Sequence, residues 1–188
     1  MSLIFDPEKH QYILDGEVLP SVTQVLTAEG FIDTTFFTDY GRERGTMVHK
    51  ATALDDMGAL DEDSIDPILV PYLEAWRAFK RDSRIEIVNI EEPLYHKTYL
   101  FAGTPDRIGE LNGKWAIIDI KHVSLPWAAL QLSAYGILDN LTTAKRLAVE
   151  LNGNGKYSVR EYTDRKDKDI FLAALACYQW KKINLKRR

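Results

Sequence analysis

The sequence predicts an α/β fold: a mixed central sheet of four or five strands, flanked by helices. Three observations carry this reading. Residues 85–92, 100–111 and 115–121 are rich in β-branched and aromatic side chains and read as three consecutive strands. Apolar residues recur at helical spacing on both sides of that run. Asn112-Gly113, between the second and third strands, is the strongest short-range hairpin signal.

Taken in order, residues 4–14 alternate weakly and end at Asp15-Gly16, a type I′ turn signal, with Val18 and Leu19 resuming a strand beyond it. Ser21-Val22-Thr23-Gln24 has capping-box spacing, so a short helix begins there and ends near Gly30. An aromatic loop, 31–40, leads to a helix over 41–56 with Met47, Val48, Ala51 and Leu54 on its apolar side. An acidic linker, 55–66, precedes a second amphipathic helix over 67–80, marked by Leu69, Leu73, Trp76 and Phe79. After the three strands, 126–138 returns to helical composition. Residues 146–151 and 157–162 form a hairpin around Asn152-Gly153-Asn154-Gly155, and 170–183 closes the chain as a helix. The whole reads as one domain: an N-terminal hairpin and short helix (1–30), a core (40–138), and a closing hairpin and helix (145–188).

Composition excludes several classes. No apolar run approaches the roughly 20 residues a membrane span needs. The first residues lack the basic start and apolar stretch of a signal peptide, so a cytoplasmic setting is expected. Cys177 is the only cysteine, which leaves no internal disulfide, zinc knuckle or four-cysteine iron–sulfur cluster and predicts a buried structural thiol. The net charge of −4 does not suit a passive nucleic-acid binder that relies on neutralising phosphates over a wide face. A compact site that recruits divalent cations fits better. Positive charge is local: Arg42 and Arg44 lie near a glycine pair, and Lys181, Lys182, Lys186, Arg187 and Arg188 read as a solvated basic tail.

The 112–113 turn fixes a register. A two-residue turn sets Leu111 opposite Lys114, so opposed residues have numbers summing to 225, as Asp106 and Asp119 do. Their carboxylates then stand side by side, with Cβ atoms about 4.5–5.5 Å apart, and Lys121 points to the same face. An Asp–Lys cluster on a strand is commonly a surface ion pair. Here Ile117, Ile118 and Ile120 mark an interior strand, where an unpartnered Asp119 is costly. Gly103 and Pro105 indicate a bend beside Asp106. Opposed like charges need compensation, and oxygen donors select a hard ion such as Mg²⁺ or Mn²⁺. Lys121 can orient or deprotonate an attacking water, or stabilise charge on a phosphorane.

Gly103-Thr104-Pro105-Asp106 followed by Ile118-Asp119-Ile120-Lys121 resembles the paired motifs of the PD-(D/E)XK, restriction-endonuclease-like nucleases. Gln131-Leu132-Ser133-Ala134-Tyr135 resembles the Q-x-x-x-Y motif of the RecB-type branch, and Gly45-Thr46-Met47-Val48-His49 its G-x-x-x-H helix. Pro20-Ser21-Val22-Thr23 resembles a segment shared by phage-type exonucleases and the mitochondrial genome maintenance exonuclease. The likeness runs in order over residues 20–138.

The resemblance implies a restriction-endonuclease-like sheet. It implies metal binding by His49, Asp106, Asp119 and the Ile120 carbonyl, with Lys121 as the catalytic lysine. It also implies DNA contacts by Gln131 and Tyr135, which share a helix face. By composition alone those two are a solvent amide and a half-buried ring. Glu91 is a candidate accessory acid, with Glu92 competing, and Arg42 and Arg44 are candidate phosphate contacts. His122 departs from the small hydroxyl residue usual after the lysine.

The function expected is Mg²⁺- or Mn²⁺-dependent hydrolysis of DNA phosphodiesters without an iron–sulfur cluster. By resemblance, this is exonuclease work in phage-type recombination or DNA processing, beside a single-strand-annealing or single-strand-binding protein. Two other readings compete: a DNA-binding or scaffolding protein that has lost turnover, and a hydrolase of small phosphoesters. The second needs a closed pocket and the nuclease a groove.

Overall fold

The computed structural model describes residues 2–33, 35 and 38–185. Ten strands and five α-helices follow one another along them. The N-terminal part comprises β1 (Leu3–Asp6), β2 (Gln11–Leu14), β3 (Glu17–Leu19), α1 (Val22–Ala28), α2 (Asp39–Asp56) and α3 (Val70–Ser83). The strand-rich middle comprises β4 (Glu86–Ile90), β5 (Leu94–His96), β6 (Phe101–Gly103), β7 (Arg107–Leu111) and β8 (Lys114–Lys121). Then come α4 (Ala128–Leu138), β9 (Lys145–Leu151), β10 (Tyr157–Tyr162) and α5 (Lys166–Asn184).

The central sheet has five strands in the order β10-β9-β8-β7-β4. β8 and β9 are parallel, with α4 in the connection between them, and the other pairs are antiparallel. This is the mixed, helix-flanked sheet predicted. β8 lies in the middle and is apolar on both faces. Ile117 packs with α1, α4 and α5 against Val25, Leu132 and Phe171, while Ile118 and Ile120 pack with α2 and α3 against Val48, Leu73 and Trp76. Alternation of side chains along one strand thus divides the core into two layers.

The 112–113 turn forms as read. Asn112 and Gly113 both have positive φ, 52° and 72°, and β7 pairs with β8 from Leu111↔Lys114 to Arg107↔Ile118. The capping box at Ser21 is also present: its hydroxyl accepts from Gln24 N and the Gln24 side chain accepts from Ser21 N.

Other elements differ from the prediction. Residues 100–111 form two strands, because Pro105 cannot donate to a ladder and the chain bends there. β7 enters the central sheet, whereas β6 pairs with β5, a strand the composition did not mark. The first strand is likewise two, β1 and β2, folded about a turn over residues 7–10, so the N-terminal sheet has three strands. α3 starts at Val70 with Pro71 in its first turn, where a missing N–H costs nothing. α5 starts at Lys166, with Asp167 and Asp169 complementing its N-terminal dipole.

Cys177 is exposed, contrary to the buried thiol expected. The buried side chains of α5 are Asp167, Phe171, Ala174 and Leu175, and a residue two beyond Leu175 is turned about 200° from it. The predicted aromatic loop falls partly outside the described residues, as do Lys186, Arg187 and Arg188 of the basic tail. Lys181 is not simply solvated: its Nζ lies 2.7 Å from Glu29 Oε2. Among the described residues no helix is long and apolar enough to cross a membrane.

Candidate active site

Where β8 ends, the sheet places two carboxylates, an ammonium and an imidazole together. Asp106 precedes β7 by one residue, so the pairing frame that matches Arg107 with Ile118 carries it to the level of Asp119. Its Oδ2 accepts a hydrogen bond from Ile120 N at 2.6 Å, which locks the carboxylate against the backbone of β8. Lys121 Nζ lies 3.0 Å from Asp119 Oδ1. His49, near the middle of α2, places Nδ1 3.4 Å from Asp106 Oδ1. The predicted convergence of Asp106, Asp119, Lys121 and His49 therefore holds in space.

Asp119 is 1 % exposed, and its Oδ2 has no hydrogen-bond partner among the described residues. A buried carboxylate oxygen without a partner is expensive. Burial lifts the Asp119 carboxyl, the Lys121 ammonium pulls it back and Asp106 pushes it up again, leaving it at about 6. Asp106 goes the other way: burial is more than offset by the His49 imidazole, by Lys121 and by the Ile120 N–H, so it stays below the ordinary carboxylate value. Burial disfavours the charged forms of His49 and Lys121, yet the adjacent carboxylates raise both above their ordinary values. Two equivalent side chains thus become one hydrogen-bonded carboxylate and one poorly solvated carboxylate in need of a cation.

α4 closes one side. Gln131 and Tyr135 are both buried, correcting the solvent amide and half-buried ring expected from composition. Gln131 Nε2 donates to Tyr135 Oη at 2.9 Å, and Gln131 Oε1 is buried without a partner among the described residues. The two side chains are hidden because α4 lies between the sheet and α1 and α5 and is buried along its whole length. Burial lifts the Tyr135 hydroxyl well above its ordinary value, and the nearby carboxylates add to this, so it stays protonated. Gly103 makes room for this ring: a Cβ there would lie 2.9 Å from Tyr135 Cε1 and 3.0 Å from Val22 Cγ2.

On the other side, a recess of about 50 Å³ is lined by Gly45, His49, Ile120, Lys121, His122 and Arg44. The Arg44 guanidinium lies over Tyr40 and Tyr72, at 5.5 and 6.0 Å from the ring centroids. His122 is exposed and edges against Tyr72. Arg42 turns instead to Asp39, 2.5 Å away. Glu91 does not join the carboxylate pair, because its Oε1 faces Arg107 Nη1 at 3.5 Å, while its N–H donates to the Asp106 carbonyl. Glu92 is held by Asn89, leaving no second acid from that strand end at the centre.

Two residues were missed in the sequence. Arg107, buried completely beside Asp106, donates through Nε to Asp56 Oδ2 at 2.6 Å, through Nη1 to the Asp106 carbonyl at 2.6 Å and through Nη2 to Thr52 Oγ1 at 3.2 Å. Asp56 also binds Lys80 Nζ at 2.5 Å and accepts from Trp76 Nε1 at 2.9 Å. This network ties α2, and hence His49, to the backbone of Asp106. The available signal was His49, Thr52 and Asp56 at helical spacing, beside an arginine in an otherwise apolar strand. Trp127 is the second, with Lys121 Nζ 5.0 Å from its ring centroid. Trp127, Gln131 and Tyr135 recur every four residues, and that stripe pointed to it.

Among the described residues, no three His, Cys, Asp or Glu side chains are gathered closely enough to hold an ion unaided. The donors the site brings together are the two carboxylates and the His49 ring. They form a hard, oxygen-rich set that substrate and water would complete.

Fold and site together define a mixed α/β protein with a buried acid–ammonium centre at the end of its middle strand. No family model matches the chain, and neither does any curated protein. Among solved structures, a protein described as SSO0001 is similar at 18% identity over 89% of this chain and 76% of its own, with a TM-score of 0.45. LHK-Exo in complex with dAMP is similar at 14% identity over 89% and 94%, with a TM-score of 0.34. The alkaline exonuclease LHK-Exo from Laribacter hongkongensis is similar at 14% identity over 86% and 91%, with a TM-score of 0.31. None of these likenesses assigns the chain to a family.

Proposed function

We propose that the chain is a Mg²⁺- or Mn²⁺-dependent nuclease that hydrolyses DNA phosphodiester bonds from an end, in phage-type recombination or DNA processing. The observation that carries the reading is the unpartnered Oδ2 of buried Asp119, beside Asp106 and within reach of Lys121. A purely structural ion pair has no use for that oxygen, whereas a hard cation satisfies it. Asp106, Asp119, the Ile120 carbonyl and His49 would hold the ion. When bound, it would polarise the scissile phosphate and make a water acidic enough to attack at neutral pH.

The protein's own groups do the rest. Lys121, steadied by Asp119 and by the Trp127 face, is placed to orient the incoming water and to offset charge on the phosphorane oxygens. Asp106 stays ionised because the Ile120 N–H and His49 hold it so. Arg44 offers a guanidinium at the recess mouth to a phosphate, while Gln131 and Tyr135, buried and hydrogen-bonded to each other, would meet DNA only at the floor of the site. The small-phosphoester alternative needs an enclosing pocket of roughly 300–1,000 Å³. The recess beside Lys121 is about 50 Å³, which favours a reacting group presented from outside, as on a polymer.

The test is digestion of end-labelled linear and circular DNA with Mg²⁺ or Mn²⁺, beside Asp119→Ala and Lys121→Ala. Cutting of the linear form only, lost by at least 10³-fold in both variants, is expected. Undiminished cutting by either variant overturns the site, and absence of cutting by the wild type leaves the DNA-binding alternative.

A further inference from the structure

A second feature lies at the opposite end of β8, away from the carboxylates. A groove of about 550 Å³ opens between the head of β8 and β9, the end of β10 and the start of α5. Five cations line it, Lys114, Lys145, Arg146, Arg165 and Lys168, against two acids, Glu161 and Asp164. In a chain with net charge −4, this is a local surplus of three positive charges.

The cations are not equally committed. Lys145 lies 3.0 Å from Glu161. Arg146 is held by Asp167 at 2.8 Å and by the carbonyls of Ala129 and Asp164 at 3.2 and 2.7 Å, which fixes it as part of the floor. Among the described residues no carboxylate pairs with Lys114, Arg165 or Lys168. Asp164 is already used, accepting from Lys166 N at 2.9 Å at the start of α5.

Ser133 supplies an independent sign. It is 7 % exposed, lines the groove from α4, and its hydroxyl makes no hydrogen bond among the described residues. A helix serine commonly returns its hydroxyl to the carbonyl four residues back, but that carbonyl, of Ala129, is taken by Arg146. Ser133 thus adds a hydroxyl to the lining of a basic hollow. Donors, unpaired cations and an anchored arginine floor are the chemistry of a phosphate site.

We infer that this groove binds a phosphate group. The group has two possible sources: a backbone phosphate of the nucleic acid held at the centre, or free phosphate, alone or on a nucleotide. Lys114 opens β8 and Lys121 ends it, so the groove lies about 20 Å along the strand from the centre. Duplex DNA covers that distance in about six base pairs at ~3.4 Å each, so one substrate can touch both. The backbone source rests on the nuclease reading; binding of a phosphate group does not.

The test uses the full chain, free of divalent metal, as wild type, as Arg165→Glu/Lys168→Glu and as Lys114→Glu. All three substituted side chains are exposed, and equal melting temperatures in sodium chloride identify variants that fold normally. Melting is compared in inorganic phosphate and in chloride at equal ionic strength. Binding of labelled DNA in EDTA is followed by anisotropy across salt concentrations. A phosphate-dependent rise in melting temperature, lost in both variants, is expected. A salt slope lowered by about 2 in the double variant, roughly one unit per contact, assigns the site to the DNA backbone with or without the phosphate effect. Loss of the phosphate effect with an unchanged slope assigns it to free phosphate. Variants indistinguishable from the wild type in both measurements overturn the inference. Failure of the nuclease reading shows separately, as absent cleavage, and leaves the phosphate measurement intact.

Discussion

Asp119 sets stability against chemistry within one side chain. Its carboxyl, at about 6 in the fold, lies above the ordinary 3.8 it regains on unfolding. A raised acid contributes most to stability below its unfolded value, where both states are protonated. The contribution is lost as pH climbs toward the folded value, because only the unfolded chain releases the proton readily. Asp106 has the opposite sign, stabilising above its unfolded value and ceasing to do so as pH falls. Asp119→Asn should therefore make the metal-free protein more stable at pH 7 by about 1–3 kcal/mol, the gain fading as pH falls from about 6 and gone below 3.8. Urea unfolding across pH measures this, and a destabilised Asn variant at pH 7 would refute the buried-charge account. The same variant should lose the melting rise that Mg²⁺ or Mn²⁺ gives the wild type, since the unpaired oxygen is what the ion would satisfy.

At the level of helices and strands, the centre depends on how α2 is fastened to β7. Arg107→Leu leaves Asp56 with only Lys80 and Trp76, and releases the Asp106 carbonyl. It should cost about 3 kcal/mol, and a double-mutant cycle with Asp56→Asn in urea should return a coupling of about 1 kcal/mol or more. Strict additivity would mean the two residues act independently. Gly103→Ala presses on the Tyr135 ring and should cost about 1–3 kcal/mol in thermal unfolding; an unchanged melting temperature would show that the ring yields freely. Local rules read the hairpin at 112–113, the Ser21 cap and the burial of β8 correctly, because turn chemistry and apolar runs act over a few residues. They did not read the break at Pro105 as a change of sheet, nor β5, since which strand pairs with which is decided by long-range packing. Arg107 drew no reading from the sequence because its partners lie on α2, some fifty residues away in the chain. Glu91 faces Arg107 for the same reason: the arginine that claims it could not be placed from strand alternation alone.

Across the whole molecule, a net charge of −4 opposes nucleic acid except where cations gather. DNA binding in EDTA should therefore be weak and should strengthen on adding Ca²⁺, a hard ion that would neutralise the paired acids. Anisotropy with a labelled duplex reads this, and equal affinity in EDTA and Ca²⁺ would mean that the acids do not oppose the backbone. The two-residue tip at Asn112-Gly113 has a wider consequence. Surface loops usually tolerate insertions, but a strand slipped by one residue turns its side chains to the other layer. With one residue added at this tip, Arg107 would come level with Asp119, and the two would form a ready but sterile ion pair. Lineages descending from this chain should vary in length almost anywhere on the surface before they lengthen there.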